Sequence, residues 1–142
     1  MRLRVEVEGT PGALELPDGG AELVALMSFA VSRGFGATHP LIALADRLYE
    51  QHKVRWGPLT TFYEAEAEDS EDVEKLEMAW QDAAPLEEEL MKLASAIESD
   101  EHARTLARRG LAEAVPTQAR ALARALQLAI SRGQRVRLVY DL

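Results

Sequence analysis

The residues most able to do chemistry in this chain are the carboxylates crowded between positions 64 and 77. This acidic segment (residues 64–77) carries eight acidic side chains against a single basic residue, Lys75. Carboxylate oxygens suit Mg²⁺ and Ca²⁺, although the glycine and ligand spacing of a calcium-binding loop are absent. The alternatives are a surface for a basic partner or a solvated loop and helix start. The acidic positions are Glu64, Glu66, Glu68, Asp69, Glu71, Asp72, Glu74 and Glu77.

Two pairs of glutamates have a spacing that occurs in a family of metal-dependent enzymes. Glu74 and Glu77 form one E-x-x-E pair, and Glu98 and Glu101 form another further along the chain. The arrangement resembles the carboxylate motif of the all-α nucleotide pyrophosphohydrolases of the MazG type, over fewer than thirty residues. The resemblance implies that these four carboxylates would hold Mg²⁺ against a nucleoside triphosphate. An antiparallel pair of helices could bring the two pairs together.

Charge is unevenly distributed along the chain. Residues 64–101 carry a net charge of −13, whereas residues 102–142 carry +6. The two blocks could neutralise each other or lie on separate solvated faces, or one of them could be a partner surface. Arg120 and Arg124 lie one turn apart on the predicted last helix, which allows a helix-turn-helix alternative that binds the DNA major groove. The overall charge of −8 argues against nucleic acid, since DNA-binding proteins present an unopposed basic surface.

Nucleophilic and metal-dependent catalysis find little support elsewhere in the sequence. The chain has no cysteine, which excludes disulfides, thiolate catalysis and cysteine-based metal sites. Glu98 and His102 are spaced to share a helical face, but no third metal ligand can be identified. His39 and His52 lie near the ends of a predicted helix, where surface or capping roles are expected. We therefore predict a non-catalytic protein without a cofactor.

The two tryptophans differ in their sequence surroundings. Trp56 precedes Gly57 and Pro58 in a predicted loop, which makes it the better candidate of the two for a partner or dimer surface, although core or loop-anchoring packing is favoured for both. Trp80 continues the helical spacing of Val73 and Leu76, so we expect it in the core.

Strands are predicted at both ends of the chain. Residues 2–8 alternate apolar and charged side chains, which is the pattern of a half-buried strand. A Gly-Thr-Pro-Gly turn follows, and residues 13–16 then complete a predicted β-hairpin. Residues 135–141 alternate in the same way and are expected to pair with the first strand. Residues 59–63 could be a short strand or an ordered loop.

The helices are predicted from apolar spacing and from residues that begin or end them. Residues 21–33 are apolar almost all round, which indicates a central helix, ended by Gly34 and Gly36. A second helix starts at Thr38, His39 and Pro40.

The second half of the chain is predicted to be mainly helical. A helix capped by Ser70 should end at Pro85, and the helix after this proline should pack against it as an antiparallel hairpin. Ser99 is expected to cap a helix over 100–109, and Pro116 to open a helix over 116–132.

These elements predict a single α+β domain over residues 1–142. A small antiparallel or mixed sheet, made from the N-terminal hairpin and the C-terminal strand, should pack against four to six helices. The sequence shows neither a signal-peptide apolar core nor a membrane-spanning stretch, so we expect a cytoplasmic protein, and its use of Ala, Leu and Arg suggests a bacterial one.

The leading functional hypothesis is a non-catalytic interaction or regulatory module. Its candidate partner-binding residues are Trp56, Glu66, Glu68, Asp69, Glu71, Arg120 and Arg124. The partner is expected to be a protein with basic character, and a homodimer stays open. The alternatives are a magnesium-dependent nucleotide pyrophosphohydrolase and a DNA-binding regulator.

Overall fold

Both ends of the chain form the centre of the sheet. The structure, a computed structural model, describes residues 1–33 and 38–142. Strand β1 (Arg2–Val7) pairs antiparallel with strand β5 (Arg135–Asp141), with Leu3 opposite Tyr140 and Val5 opposite Leu138. The predicted pairing of the first and last strands is confirmed.

Three short strands complete the sheet around this central pair. Strand β2 (Ala13–Glu15) pairs antiparallel with β1 as the predicted hairpin. Strand β3 (Phe62–Glu64) runs parallel to β5, and strand β4 (Gln81–Asp82) runs antiparallel to it. The sheet is therefore mixed, in the order β2-β1-β5-β3, with β4 also on β5. The ambiguous residues 59–63 contain both a 3₁₀ turn, Pro58–Thr60, and the start of β3.

The described residues contain six α-helices, and with the sheet they confirm the α+β class. None of these helices is long and apolar enough to cross a membrane. They are α1 (Ala21–Val31), α2 (Pro40–His52), α3 (Ser70–Met78), α4 (Ala83–Ser99), α5 (Glu101–Arg109) and α6 (Val115–Ser131).

The core lies between one face of the sheet and the helices. Leu3, Val5, Val136 and Leu138 point to this face and are fully buried, because alternate residues of a strand point to the same side. Helix α1 is central, as its all-round apolar sequence predicts, and it contributes five buried residues to the same cluster: Leu23, Val24, Leu26, Met27 and Ala30. The opposite, outer face of the sheet carries charged side chains and one buried apolar residue, Val139.

Two of the predicted helix caps are wrong by one residue. Asp69, not Ser70, caps α3 by accepting a hydrogen bond from the Asp72 amide at 2.9 Å. Asp100, not Ser99, caps α5 by accepting from the amides of residues 102 and 103. Serine and aspartate are equally good capping residues, so the sequence alone does not choose between neighbours. The expected helix end at Gly34 and Gly36 lies outside the described residues.

The predicted helical hairpin around Pro85 is also wrong. Helix α3 ends at Met78, and Pro85 lies in the first turn of α4. The N–H groups of a first turn have no acceptor within the helix, so a proline is tolerated there. Helix α4 packs mainly against α6. Helix α3 contains no buried residue and lies along the outer face of the sheet, where Arg137 donates a hydrogen bond to the carbonyl of Leu76 at 2.9 Å.

Gly110, at the end of α5, lies so close to α2 that only a residue without a side chain fits there. Its φ is negative, at −89°, so the backbone conformation there does not favour glycine. A Cβ atom on Gly110 would lie 2.6 Å from Cγ of Leu41, which is itself buried at the start of α2. The absence of a side chain therefore lets the end of α5 approach α2.

We predict that Gly110→Ala lowers the free energy of unfolding by about 2 kcal/mol, because the added methyl overpacks the contact with Leu41. Urea denaturation of both proteins measures the difference. Adding Leu41→Ala should make the pair cost less than the sum of the single changes. Strict additivity of the two changes would contradict the proposed contact.

Candidate functional site

The acidic segment leaves the sheet at the end of β3 and includes most of α3. The amide of Ala65 donates to the carbonyl of Tyr140 at 2.8 Å, which is the last contact with β5 before the chain turns outward. The segment is at the surface: every one of its eight acidic residues is exposed or only half-buried. All four partner-binding candidates predicted within it are exposed, namely Glu66, Glu68, Asp69 and Glu71.

The start of α3 is stabilised by the segment's own carboxylates. Asp69 accepts from the Asp72 amide, and the Asp72 carboxylate accepts from the amide of Glu68 at 3.1 Å. This reciprocal arrangement satisfies two amide groups outside the helical ladder. Negative charge at a helix N-terminus is also favourable toward the helix dipole. The first turn of this helix can therefore form in a highly acidic sequence without a basic partner.

The segment is not neutralised by the rest of the fold. Within residues 1–33 and 38–142, its single ion pair joins Lys75 to Glu71 at 3.8 Å within α3 itself. Other acidic groups do find basic partners: Asp100 pairs with Arg47, and Glu98 pairs with Arg120. Of the two interpretations of the uneven charge, mutual neutralisation therefore does not apply to residues 64–77.

A small polar cleft separates the acidic segment from the edge of the sheet. Its volume is about 180 Å³, enough for several water molecules but smaller than most ligand pockets. The side of the segment that faces the sheet is therefore only loosely packed. The cleft is lined by Phe62, Tyr63, Glu64, Glu66, Asp72, Lys75 and Tyr140.

The four carboxylates of the pyrophosphohydrolase motif do not come together. Glu74 and Glu77 lie on α3, Glu98 lies near the end of α4 and Glu101 begins α5. In the described part of the chain, no three histidine, aspartate or glutamate side chains are grouped so that they could hold a metal ion. The reason is the packing of α4 against α6 rather than α3. The same finding covers the carboxylates of the acidic segment.

The basic stripe predicted on the last helix is partly used inside the fold. Arg120 donates to the carboxylate of Glu98 and to the hydroxyl of Ser95, which joins α6 to α4. The hydrogen bond from Arg120 holds the pKa of Glu98 below its ordinary value. Arg124 is exposed, so only one of the two predicted arginines faces solvent without this contact.

The histidines point to a polar cluster that the sequence analysis missed. His52 contacts the Asp100 carboxylate at 2.7 Å through Nε2, and Arg47 donates to the same carboxylate at 2.7 Å through Nε. Hydrogen bonds from Arg47 hold the pKa of Asp100 far below its ordinary value. His39 caps α2 by accepting from the amide of Leu41, and His102 is exposed. This cluster ties the end of α2 to the junction of α4 and α5.

The structure removes Trp56 from the candidate partner surface and leaves Trp80 outside the main core. Trp56, a predicted surface candidate, is only 6% exposed, and its indole N–H donates to the Ala45 carbonyl at 3.1 Å. Trp80, expected in the core, is half-buried and stacks against the guanidinium of Arg137 at 4.3 Å from the ring centroid. Trp56 is therefore not available to a partner, whereas part of Trp80 is.

No protein-family model, curated protein or solved structure matches this chain.

Proposed function

We propose that this protein is a non-catalytic interaction or regulatory module that binds a basic partner through its acidic segment. One observation carries the proposal: in the part of the chain that the structure describes, the eight clustered carboxylates form a single ion pair, with Lys75 of the segment itself. Clustered like charges repel one another, and this repulsion is relieved when a positively charged surface approaches. We place the module in the bacterial cytoplasm on the compositional grounds given above.

The chemistry of the segment defines the partner class. Exposed carboxylates attract lysine and arginine side chains, and charge complementarity mainly accelerates association and sets specificity. Such binding weakens as salt rises, because exposed charges are screened over about 8–10 Å at physiological ionic strength. A lysine- or arginine-rich segment of another protein fits this surface.

Helix α3 also presents apolar side chains that charge alone does not explain. Val73 is 51% exposed and Met78 is 83% exposed, on a helix that buries none of its residues. Methionine adapts its shape to varied surfaces and is enriched at interfaces. We therefore expect the partner segment to carry apolar residues among its basic ones.

The proposal predicts that a charge-reduced segment loses affinity for a basic peptide. Replacing Glu66, Glu68, Glu71 and Glu74 with glutamine should weaken binding of fluorescein-labelled decalysine by about tenfold, because four attractive charges are removed from one surface. Fluorescence anisotropy at low and at physiological ionic strength measures the affinity and its salt dependence.

A control variant separates this surface from net charge in general. Glu50, Glu88, Glu101 and Glu113 are exposed and lie outside the segment, and their replacement with glutamine changes the net charge equally. We expect less than a twofold effect from that variant. Equal losses in the two variants, or no binding of decalysine by the unaltered protein, would show that the proposed surface is wrong.

A further inference from the structure

Residues 65–80, which we call the strap, leave and rejoin the same edge of β5. The strap begins where β3 ends opposite Tyr140, and it ends where β4 begins opposite Val136. These two points on β5 are four residues apart, which is about 13 Å along a strand. Helix α3 has nine residues and is about 13.5 Å long. The strap therefore runs back along β5 with both ends held by strand pairing.

The middle of the strap is weakly attached. Helix α3 is the only one of the six described helices without a buried residue. A polar cleft of about 180 Å³ separates Asp72 and Lys75 of α3 from β3 and the end of β5. Segments with few buried apolar contacts open locally at a much lower free energy than the whole fold.

Arg137 supplies the contacts that hold the second half of the strap. Its Nη1 donates to the carbonyl of Leu76 at 2.9 Å, and its guanidinium stacks on Trp80. A positive charge is favourable at the C-terminal end of α3, where the helix dipole is negative. Its Nε donates to Glu6 on β1 at 2.6 Å, which fixes the guanidinium above the sheet. Arg137 is thus shared between the sheet and the strap.

Val139 is a buried apolar residue on the outer face of the sheet. It alternates with Leu138, so it points to the outer face of the sheet, and it is not part of the main core cluster. It is nevertheless fully buried. The outer face of the sheet is therefore covered at this position, and it is the same face from which Arg137 reaches the carbonyl of Leu76.

We propose that the strap lifts from the sheet as a unit while the rest of the fold stays intact, and that Arg137 sets how often it lifts. The strap pivots at its two ends, where Ala65 stays bonded to the Tyr140 carbonyl and Ala79 stays buried, so lifting breaks no pairing of β3 or β4. Lifting also gives access to both sides of α3. On the further assumption that the proposed function holds, a basic partner would therefore favour the lifted state.

Hydrogen exchange of the unaltered protein provides the first test. We expect the amides of residues 73–79 to exchange at least about 100-fold faster than those in the middle of α4 and α6, since they need only local opening. Exchange of these amides at the rate of the core amides would overturn the proposal, because it would show that the strap opens only with global unfolding.

The second test compares two arginines on the same strand and face. Arg137→Gln should accelerate exchange over residues 73–79 by about tenfold, as the contacts to Leu76 and Trp80 are lost. Arg135→Gln removes the equivalent cross-strand ion pair with Glu8 and a charge interaction with Asp82 of β4, but none of the hydrogen bonds made by residues 65–80, and it should change this exchange less than twofold. Trp80→Leu leaves the Arg137–Glu6 pair intact and should also accelerate exchange, which keeps the test valid if Arg137→Gln destabilises the sheet. Equal effects of the two arginine variants, with no effect of Trp80→Leu, would overturn the role of Arg137.

Decalysine binding then tests the link to function separately. A higher open population should raise the apparent affinity of Arg137→Gln for decalysine relative to Arg135→Gln, which carries the same net charge. Faster exchange without a gain in affinity would support the lifting of the strap but would show that lifting is not coupled to partner binding. Absence of decalysine binding to either protein counts against the proposed function and not against the lifting.

Discussion

Trp56→Ala is expected to lower the free energy of unfolding by about 4 kcal/mol, the largest effect predicted for a single change in this protein. The side chain belongs to the main core cluster, and its indole N–H is bonded to the Ala45 carbonyl in α2. Truncation leaves a large cavity between α2 and the turn at Pro58–Thr60, which the surrounding side chains can fill only in part. Urea denaturation followed by circular dichroism gives the difference in free energy.

The second tryptophan is the natural comparison for this change. Trp80 is half-buried outside the main core, so we expect Trp80→Ala to cost about 1 kcal/mol. Trp56→Phe should also cost much less than Trp56→Ala, because most of the buried volume is kept. If Trp56→Ala were no more damaging than Trp80→Ala, Trp56 would have to lie at the surface after all.

Asp100→Ala is expected to lower the free energy of unfolding by about 3 kcal/mol. The carboxylate, 11% exposed, accepts hydrogen bonds from Arg47 and His52 and from the first amides of α5. Loss of a cap alone costs about 1 kcal/mol, and loss of a charge-assisted bond that leaves Arg47 without its partner adds about 1.5–3 kcal/mol. Thermal or urea denaturation measures the sum. Glu101→Gln, next in sequence but exposed, should have almost no effect.

The pH dependence of this contribution has a definite sign. The pKa of Asp100 is lowered in the folded protein, chiefly by the hydrogen bond from Arg47. The carboxylate therefore stabilises the fold fully above the unfolded-state pKa of about 3.9, and the contribution is lost as the pH falls through the lower folded-state pKa. Asp100→Asn, which resembles the protonated group, should be less stable than the unaltered protein at about pH 5. The difference should shrink below about pH 4, and a difference independent of pH there would contradict the assignment.

The strands illustrate how much local pattern can predict. In β1 and β5 every second residue is apolar, and a strand must place such residues on one face, so both strands and their common buried side were predictable. Helix α1 was predictable for a similar reason, because a helix apolar all round has to be buried on several sides. The acidic segment was likewise recognisable as unusual from charge alone.

Contacts between distant elements were not predictable in the same way. Gln118 in α6 accepts a hydrogen bond from the Leu23 amide at the start of α1, and Glu22 accepts from the Ala114 amide at the start of α6. Each helix thus caps the other across more than 90 residues of sequence. Local capping rules search only a few neighbouring positions, so they do not reveal such a pair.

Some features of the candidate site follow from local sequence, and others depend on tertiary packing. Local sequence determined that residues 64–77 are acidic and that a helix begins near position 70, because charge and capping depend on neighbours in the chain. The tertiary structure alone decided that α3 lies on the outer face of the sheet, that Arg120 is engaged by Glu98, and that Trp56 is inside. Those outcomes depend on which surfaces remain uncovered once α4 has packed on α6, and packing joins residues that the sequence keeps far apart.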